Sequence, residues 1–260
     1  MLEVKNLFAL IVIRIKNWGA YRFDFFASIL GMVLPILGLS LYWLDTLKYS
    51  VVDSFLFTPK TIILYYIIVY AIEMFFSYEL AFSVEEDIET GRMNSFLLLP
   101  CNYLTIKLAE FLSTNLLPCC ILIALTIVIS LSSMISASLI AVLVFLSLLI
   151  LGILFHFIYV MFLGLLTVWF KNVNGMLYFL QTIAGLLAGA IIPLSLLPER
   201  FAWLVWNPFS LSIYVPSETL LTGTINIAAP FALALWCFVI YALYRITWTN
   251  AMRNYQAYGG

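Results

Sequence analysis

Long apolar runs separated by short polar stretches organise this chain. Phe25 to Leu44 carries no charge and is bounded by Asp24 and Asp45. Thr61 to Val84 is a second run, carrying Glu73 and Glu79. From Phe111 to Phe170 there is no Asp, Glu, Lys or Arg. A spanning helix needs about 20 mostly apolar residues, so this stretch holds two crossings. The Ser-rich Leu131-Ser132-Ser133-Met134-Ile135-Ser136-Ala137-Ser138 marks the break between them. A tight polar turn, Lys171-Asn172-Val173-Asn174-Gly175, is followed by two more apolar runs. The pattern predicts an all-α membrane protein with six transmembrane helices, over 25–44, 61–84, 111–131, 139–170, 176–197 and 227–244.

The first 22 residues mix apolar and basic side chains. Leu7, Leu10, Ile11 and Ile15 lie near one helical face, with Arg14 and Lys16 largely elsewhere. This predicts an amphipathic helix over 1–22 lying on the inner leaflet; a frayed tail is the alternative. The apolar run Leu7 to Ile13 is short, is followed by Arg14 and Lys16, and has no small-residue cleavage site, so a secretory signal is not expected. Six spans place both termini on one side. That side carries nine of the Lys and Arg residues, against three (Lys48, Lys60 and Arg200) on the other. The excess puts both termini, and the segment 85–100, in the cytoplasm of a multi-pass protein of the cell membrane.

Composition sharpens this. Only 10% of residues are charged and 65% are hydrophobic, whereas a soluble domain carries roughly a quarter charged residues. The net charge of -1 leaves no basic footprint for nucleic acid. Cys101, Cys119, Cys120 and Cys237 form no CxxC pattern and read as packing residues, so no metal site or disulfide is expected. The chain has no GxxxxGK[ST] loop to bind ATP, no HExxH metalloprotease motif and no convincing nucleophile and base pair. It is not expected to be an enzyme.

Three places could carry function. The first is 85–100, between the second and third runs. Glu85, Glu86 and Glu89 recur at helical spacing, with Asp87 among them, and acids suit the first turn of a helix. Gly91 permits a sharp turn before Arg92. Met93, Phe96, Leu97 and Leu98 can rest against the membrane or the span ends, and Pro100 ends the run. The reading is a short helix across the cytoplasmic face with its acids in water, where a soluble partner could grip; the bland alternative is a solvated loop.

The second place is 193–216. Pro193 is expected to break or kink the fifth span, Pro198 to start a short helix and Pro208 to stop it. Trp203, Leu204 and Trp206 make that helix amphipathic and interfacial. This reads as a re-entrant or interfacial element capping an outer mouth, or else as an aromatic-belt loop. The third is the ionisable residues within spans: Glu73 near the middle of the second, Glu79 beyond it, and His156, the single histidine, in the fourth. Such groups face protein or a water cavity. Glu73 and His156 are candidate pathway residues or packing contacts, and Glu79 can snorkel to the cytoplasmic face.

Four local motifs, in order, resemble the permease subunits of ABC-2 type transporters. They are Tyr21-Arg22-Phe23-Asp24-Phe25; Gly91-Arg92 leading to Leu97-Leu98-Leu99-Pro100; Gly189-Ala190-Ile191-Ile192-Pro193-Leu194 with Leu197-Pro198, Asn207-Pro208 and Gly223 following; and the tail Asn254-Tyr255-Gln256-Ala257-Tyr258-Gly259-Gly260. The first and last are most similar to a small six-span subgroup. The resemblance covers essentially the whole chain as one transmembrane domain, 1–260. It implies a cytoplasmic coupling helix at 85–100, with Glu85, Glu86, Asp87, Glu89, Gly91 and Arg92 meeting the partner, and re-entrant outer helices between spans 5 and 6. It also implies a second permease, identical or related, and two cytoplasmic ATP-binding subunits on separate chains. Those subunits would hold ATP and Mg, with no cofactor on this chain. The implied function is the substrate pathway of an ATP-driven exporter. An ion-coupled secondary carrier using Glu73 or His156, and a non-transporting membrane scaffold or immunity protein, are the competing classes.

Overall fold

A computed structural model of the chain describes residues 22–49, 59–115, 138–170 and 173–254. Among them the chain is all helical, without strands. The expected amphipathic helix at 1–22 and most of the third span, 116–131, lie outside the described residues.

Helices α1 (Arg22–Tyr49) and α2 (Pro59–Glu73) are followed by α3 (Glu79–Glu89), α4 (Arg92–Leu97) and α5 (Tyr103–Thr114). Then come α6 (Leu139–Leu165) and α7 (Asn174–Leu187), the 3-10 turns Leu194–Leu196 and Glu199–Trp206, α8 (Pro208–Ser212), α9 (Tyr214–Thr222) and α10 (Ala228–Asn254). Among the described residues, two stretches are long and apolar enough to cross a membrane, Leu139–Val168 and Ala228–Arg253. At about 1.5 Å per residue, the 30 residues of the first reach roughly 45 Å, more than a bilayer core requires. Val33–Thr46 and Thr61–Glu73 are shorter apolar helices.

The core is built around α6, which packs most extensively on α10 and also on α3, α8 and α9. Its sequence explains this role. Ser138 caps it by accepting the Ala141 amide at 3.2 Å. Leu, Phe and Val surround the whole helix, and small residues let neighbours in close. A Cβ on Gly152 would stand 3.0 Å from Ser212 Cβ, and one on Gly164 only 2.6 Å from Val84 Cβ and 2.9 Å from the Ala81 carbonyl oxygen.

Two expected spans are not continuous helices. The run 61–84 stops at Glu73 and restarts at Glu79. Its end tightens into 3-10 bonds, Phe75 to Ile72 (3.0 Å) and Phe76 to Glu73 (2.8 Å). Ser77 Oγ then accepts the Glu79 amide at 3.2 Å, which favours a new helix start. Glu73 is therefore at a helix end rather than near the middle of a span. The run 176–197 ends at Leu187. Gly189 takes φ 77°, and the amides of Gly189 and Ala190 return to the carbonyls of Leu186 and Gly185, a Schellman closure. The break thus falls at Gly189, before Pro193, because glycine reaches the left-handed region without strain. Pro208 likewise corrects an expectation. It starts α8 instead of stopping a helix, because Asn207 Oδ1 accepts the amides of Phe209 (2.9 Å) and Ser210 (3.0 Å).

Gly164→Ala should lower the thermal midpoint in detergent, since backbone and Cβ atoms of α3 cannot yield, at a cost of about 1–3 kcal/mol. Gly175→Ala, with nothing within 4 Å of the new Cβ, should leave it unchanged.

Candidate functional site

The segment 85–100 folds as the end of α3, a left-handed Gly91 at φ 72°, and the short helix α4. Helical spacing divides its acids, and here the expectation of acids in water is only half right. Glu86 and Glu89 are exposed, but Glu85 and Asp87 are 3% and 1% exposed. Packing against α5 and the α6–α7 turn takes the other two out of water.

Asp87 is the centre of a buried network. Its Oδ2 accepts from Lys107 Nζ at 2.7 Å and from the Tyr103 hydroxyl at 2.9 Å, and its Oδ1 meets Arg92 Nε at 3.2 Å. Lys107 is equally buried and also donates to Ser83 Oγ (2.7 Å) and Glu110 Oε2 (3.1 Å). That satisfies its three donors. Its ammonium lies over the rings of Phe96 and Tyr103, 5.7 and 5.6 Å from the centroids. Arg92 bridges outward to Glu86 at 2.9 Å. Burial raises the pKa of the Tyr103 hydroxyl, and the Asp87 carboxylate raises it further, so the phenol stays a donor. Tyr103 also stacks on Trp248 of α10, with centroids 5.6 Å apart and planes at 20°.

Glu85 holds the other side. Its Oε1 accepts from the Val173 amide at 3.4 Å and from Asn174 Nδ2 at 3.2 Å. Burial pushes its carboxyl above the usual carboxylate range; the Val173 amide opposes the shift and Glu89 adds to it. On the inner side Met93 is fully buried, and Leu98 projects with 88% exposure. So α3, α4 and α5 form one braced unit with an exposed outer rim of Glu86, Glu89, Leu97, Leu98 and Leu99. No titrating pair here is placed to attack a substrate; the arrangement resists deformation and presents a surface.

At the opposite end, hydroxyls of α2 take up carbonyls released beyond α7. Tyr65 donates to Gly189 O (2.7 Å) and Tyr66 to Ile191 O (2.9 Å). Asn207 Nδ2 donates to Leu187 O (3.0 Å) and Leu204 O (2.6 Å), and Trp236 Nε1 to Trp206 O (3.1 Å). Pro193 is buried, whereas Pro198, Trp203 and Trp206 are exposed.

Residues 56–259 match the family described as ABC-2 family transporter protein. The chain belongs to that family. No curated protein matches it. Membership makes this an ABC-type membrane permease, and the apolar spans agree.

In this ABC-2 protein, Glu73 and His156 occupy different surroundings. Glu73 Oε1 reaches within 3.9 Å of the Cβ position of Gly185 on α7. His156 on α6 is 1% exposed, and its Nε2 donates to Ser77 O at 2.9 Å in the break of the second run. Sequence reasoning missed Lys107, Tyr103, Glu110 and Trp248. The one local signal was Lys107 three residues before Glu110 on an otherwise apolar helix.

Asp87→Asn should leave Lys107 with a buried, under-compensated charge and lower the thermal midpoint by roughly 10 °C, from about 3 kcal/mol lost. Glu85→Gln keeps both accepted hydrogen bonds and removes a charge that burial disfavours, so its midpoint should stay within about 2 °C of wild type.

Proposed function

We propose that the chain is the transmembrane subunit of an ATP-binding cassette exporter, crossing the cell membrane six times with both termini in the cytoplasm. It pairs with a second permease, identical or related, and with two cytoplasmic ATP-binding subunits that bind ATP and Mg. The substrate pathway lies at the interface between the permeases. Residues 85–100 are the coupling segment, and 193–216 are the outer re-entrant segment, with Pro193, Pro198, Trp203, Trp206 and Pro208 shaping it.

One observation carries this reading beyond the family match. The segment is anchored from within by a buried ion pair and leaves a mixed acidic and apolar rim outside. A lone solubilising loop has no need of an internal Asp–Lys lock or of a leucine 88% exposed beside it. A surface that must receive force from a soluble partner needs both: a rigid base, and an apolar contact rimmed by charge.

Buried Asp87 and Glu85 are poor probes of docking, because neither presents a surface to a partner and loss of Asp87 also weakens the base. The exposed rim is the informative target. Glu86→Lys with Glu89→Lys, and separately Leu98→Glu, should insert normally yet lose the ATP-binding subunit in a co-purification assay by tenfold or more, about 1.4 kcal/mol. Full retention of the ATP-binding subunit by both variants would remove 85–100 as the docking site.

A further inference from the structure

The break between α2 and α3 lies inside what the sequence presents as a single span, and its flanks are held by different partners. On one side, α2 packs on α1 and α9 and is tied by Tyr65 and Tyr66 to the carbonyls of Gly189 and Ile191. On the other, α3 is locked to α5 through Asp87–Lys107 and to the α6–α7 turn through Glu85, and it closes on α6 at Gly164. Residues 74–78 therefore join two separately braced bodies.

The break is held to α6 by the His156 Nε2 bond to Ser77 O at 2.9 Å. The imidazole is clasped by Phe76 and Tyr78, with ring centroids at 4.8 and 5.4 Å, and by Phe111 and Tyr159 at 6.4 and 6.3 Å. Phe76 and Tyr78 belong to the break itself, and Phe111 and Tyr159 to α5 and α6. A cleft of about 330 Å³ runs beside α3 from Glu86 and Glu110 to Ser77, which gives water a route to the break.

We propose that residues 74–78 are a hinge within the second span and that His156 is the positioning residue that sets its resting geometry. Resting on the permease reading, the hinge lets the 85–100 segment tilt with α3, α5 and the C-terminal end of α6 while α2 stays with the outer segment. Carbonyls freed in an apolar surrounding need a donor. A side-chain donor from a neighbouring helix supplies one without fixing the angle as a helical bond would.

The test is deuterium uptake of the full chain in lipid nanodiscs, comparing peptides covering 74–79 with those covering 81–88. Uptake at 74–79 should exceed that at 81–88 in the wild type. His156→Leu should speed exchange at 74–79 a further tenfold or so, the factor expected from one lost hydrogen bond. His156→Gln, whose amide can donate from the Nε2 position, should restore it. Equal uptake of wild type and His156→Leu, or a rise spread evenly over α3 and α6, would overturn the proposal. A second comparison uses the complex with its ATP-binding subunits. Adding AMP-PNP and Mg2+ should change uptake at 74–79 and leave 61–72 unchanged. No change in a complex that binds the nucleotide would overturn the hinge's part in transport. Failure of any ATP-binding subunit to associate would instead overturn the permease reading, and the nanodisc comparison alone would then decide the hinge.

Discussion

Every backbone amide and carbonyl at membrane depth must be hydrogen-bonded within the protein, because an unpaired one costs several kcal/mol in hydrocarbon. Several polar side chains outside the 85–100 region answer that constraint. Where α7 ends at Gly189, the hydroxyls of Tyr65 and Tyr66 reach across to the released carbonyls. Trp43 Nε1 shares Ile191 O at 3.4 Å. Asn207 donates to two carbonyls and caps α8 with its other atom. Where α2 ends, His156 does the same for Ser77. The spans can be interrupted only because these donors sit opposite the interruptions. The same fact explains why an apolar chain keeps a histidine and a row of tyrosines in its interior.

The cytoplasm-facing end on the permease reading is governed by charge. A buried Asp–Lys pair contributes little net stability over an apolar substitute, since desolvating both ions offsets their attraction. Its effect is geometric. With Tyr103, Ser83, Glu110 and Arg92 filling the remaining valences, α3 and α5 have one relative position in which the network is satisfied. Gly91 at positive φ then turns α4 back over that base, so the exposed leucines and acids are displayed on a fixed scaffold.

How much of this was legible in the sequence varied with the kind of force involved. Apolar length alone located α6, since 139 follows a Ser cap, and it located the start of α10, although that helix runs on to Asn254. The turn at Gly91 was also legible. The burial of Asp87 was not, because its partner lies 20 residues on and charge spacing within 85–89 looks like one wet face. The break at 74–78 was hidden for a similar reason: hydropathy averages over it, and the donor that permits it belongs to α6. Glu73 and Glu79, read as charges within a span, instead flank its interruption. The reversal at Pro208 was local and could have been read, since Asn followed by Pro is a capping residue before a first-turn proline.

The two constraints together decide where displacement of the 85–100 rim can go. Asp87 shares its carboxylate between Lys107 and Tyr103, and Tyr103 stacks on Trp248, whose ring in turn lies 6.2 Å from Tyr244 on α10. That path is short, buried and made of stiff aromatic and ionic contacts. The path through the second span crosses the break at 74–78, where one helix closes in 3-10 bonds and the next begins at Glu79. A push at the rim is therefore borne first by α5, α6 and α10, and reaches α2 only after the break has flexed. On the permease reading, that ordering lets the inner ends of the helices move before the outer segment, tied down by Tyr65 and Tyr66, is released.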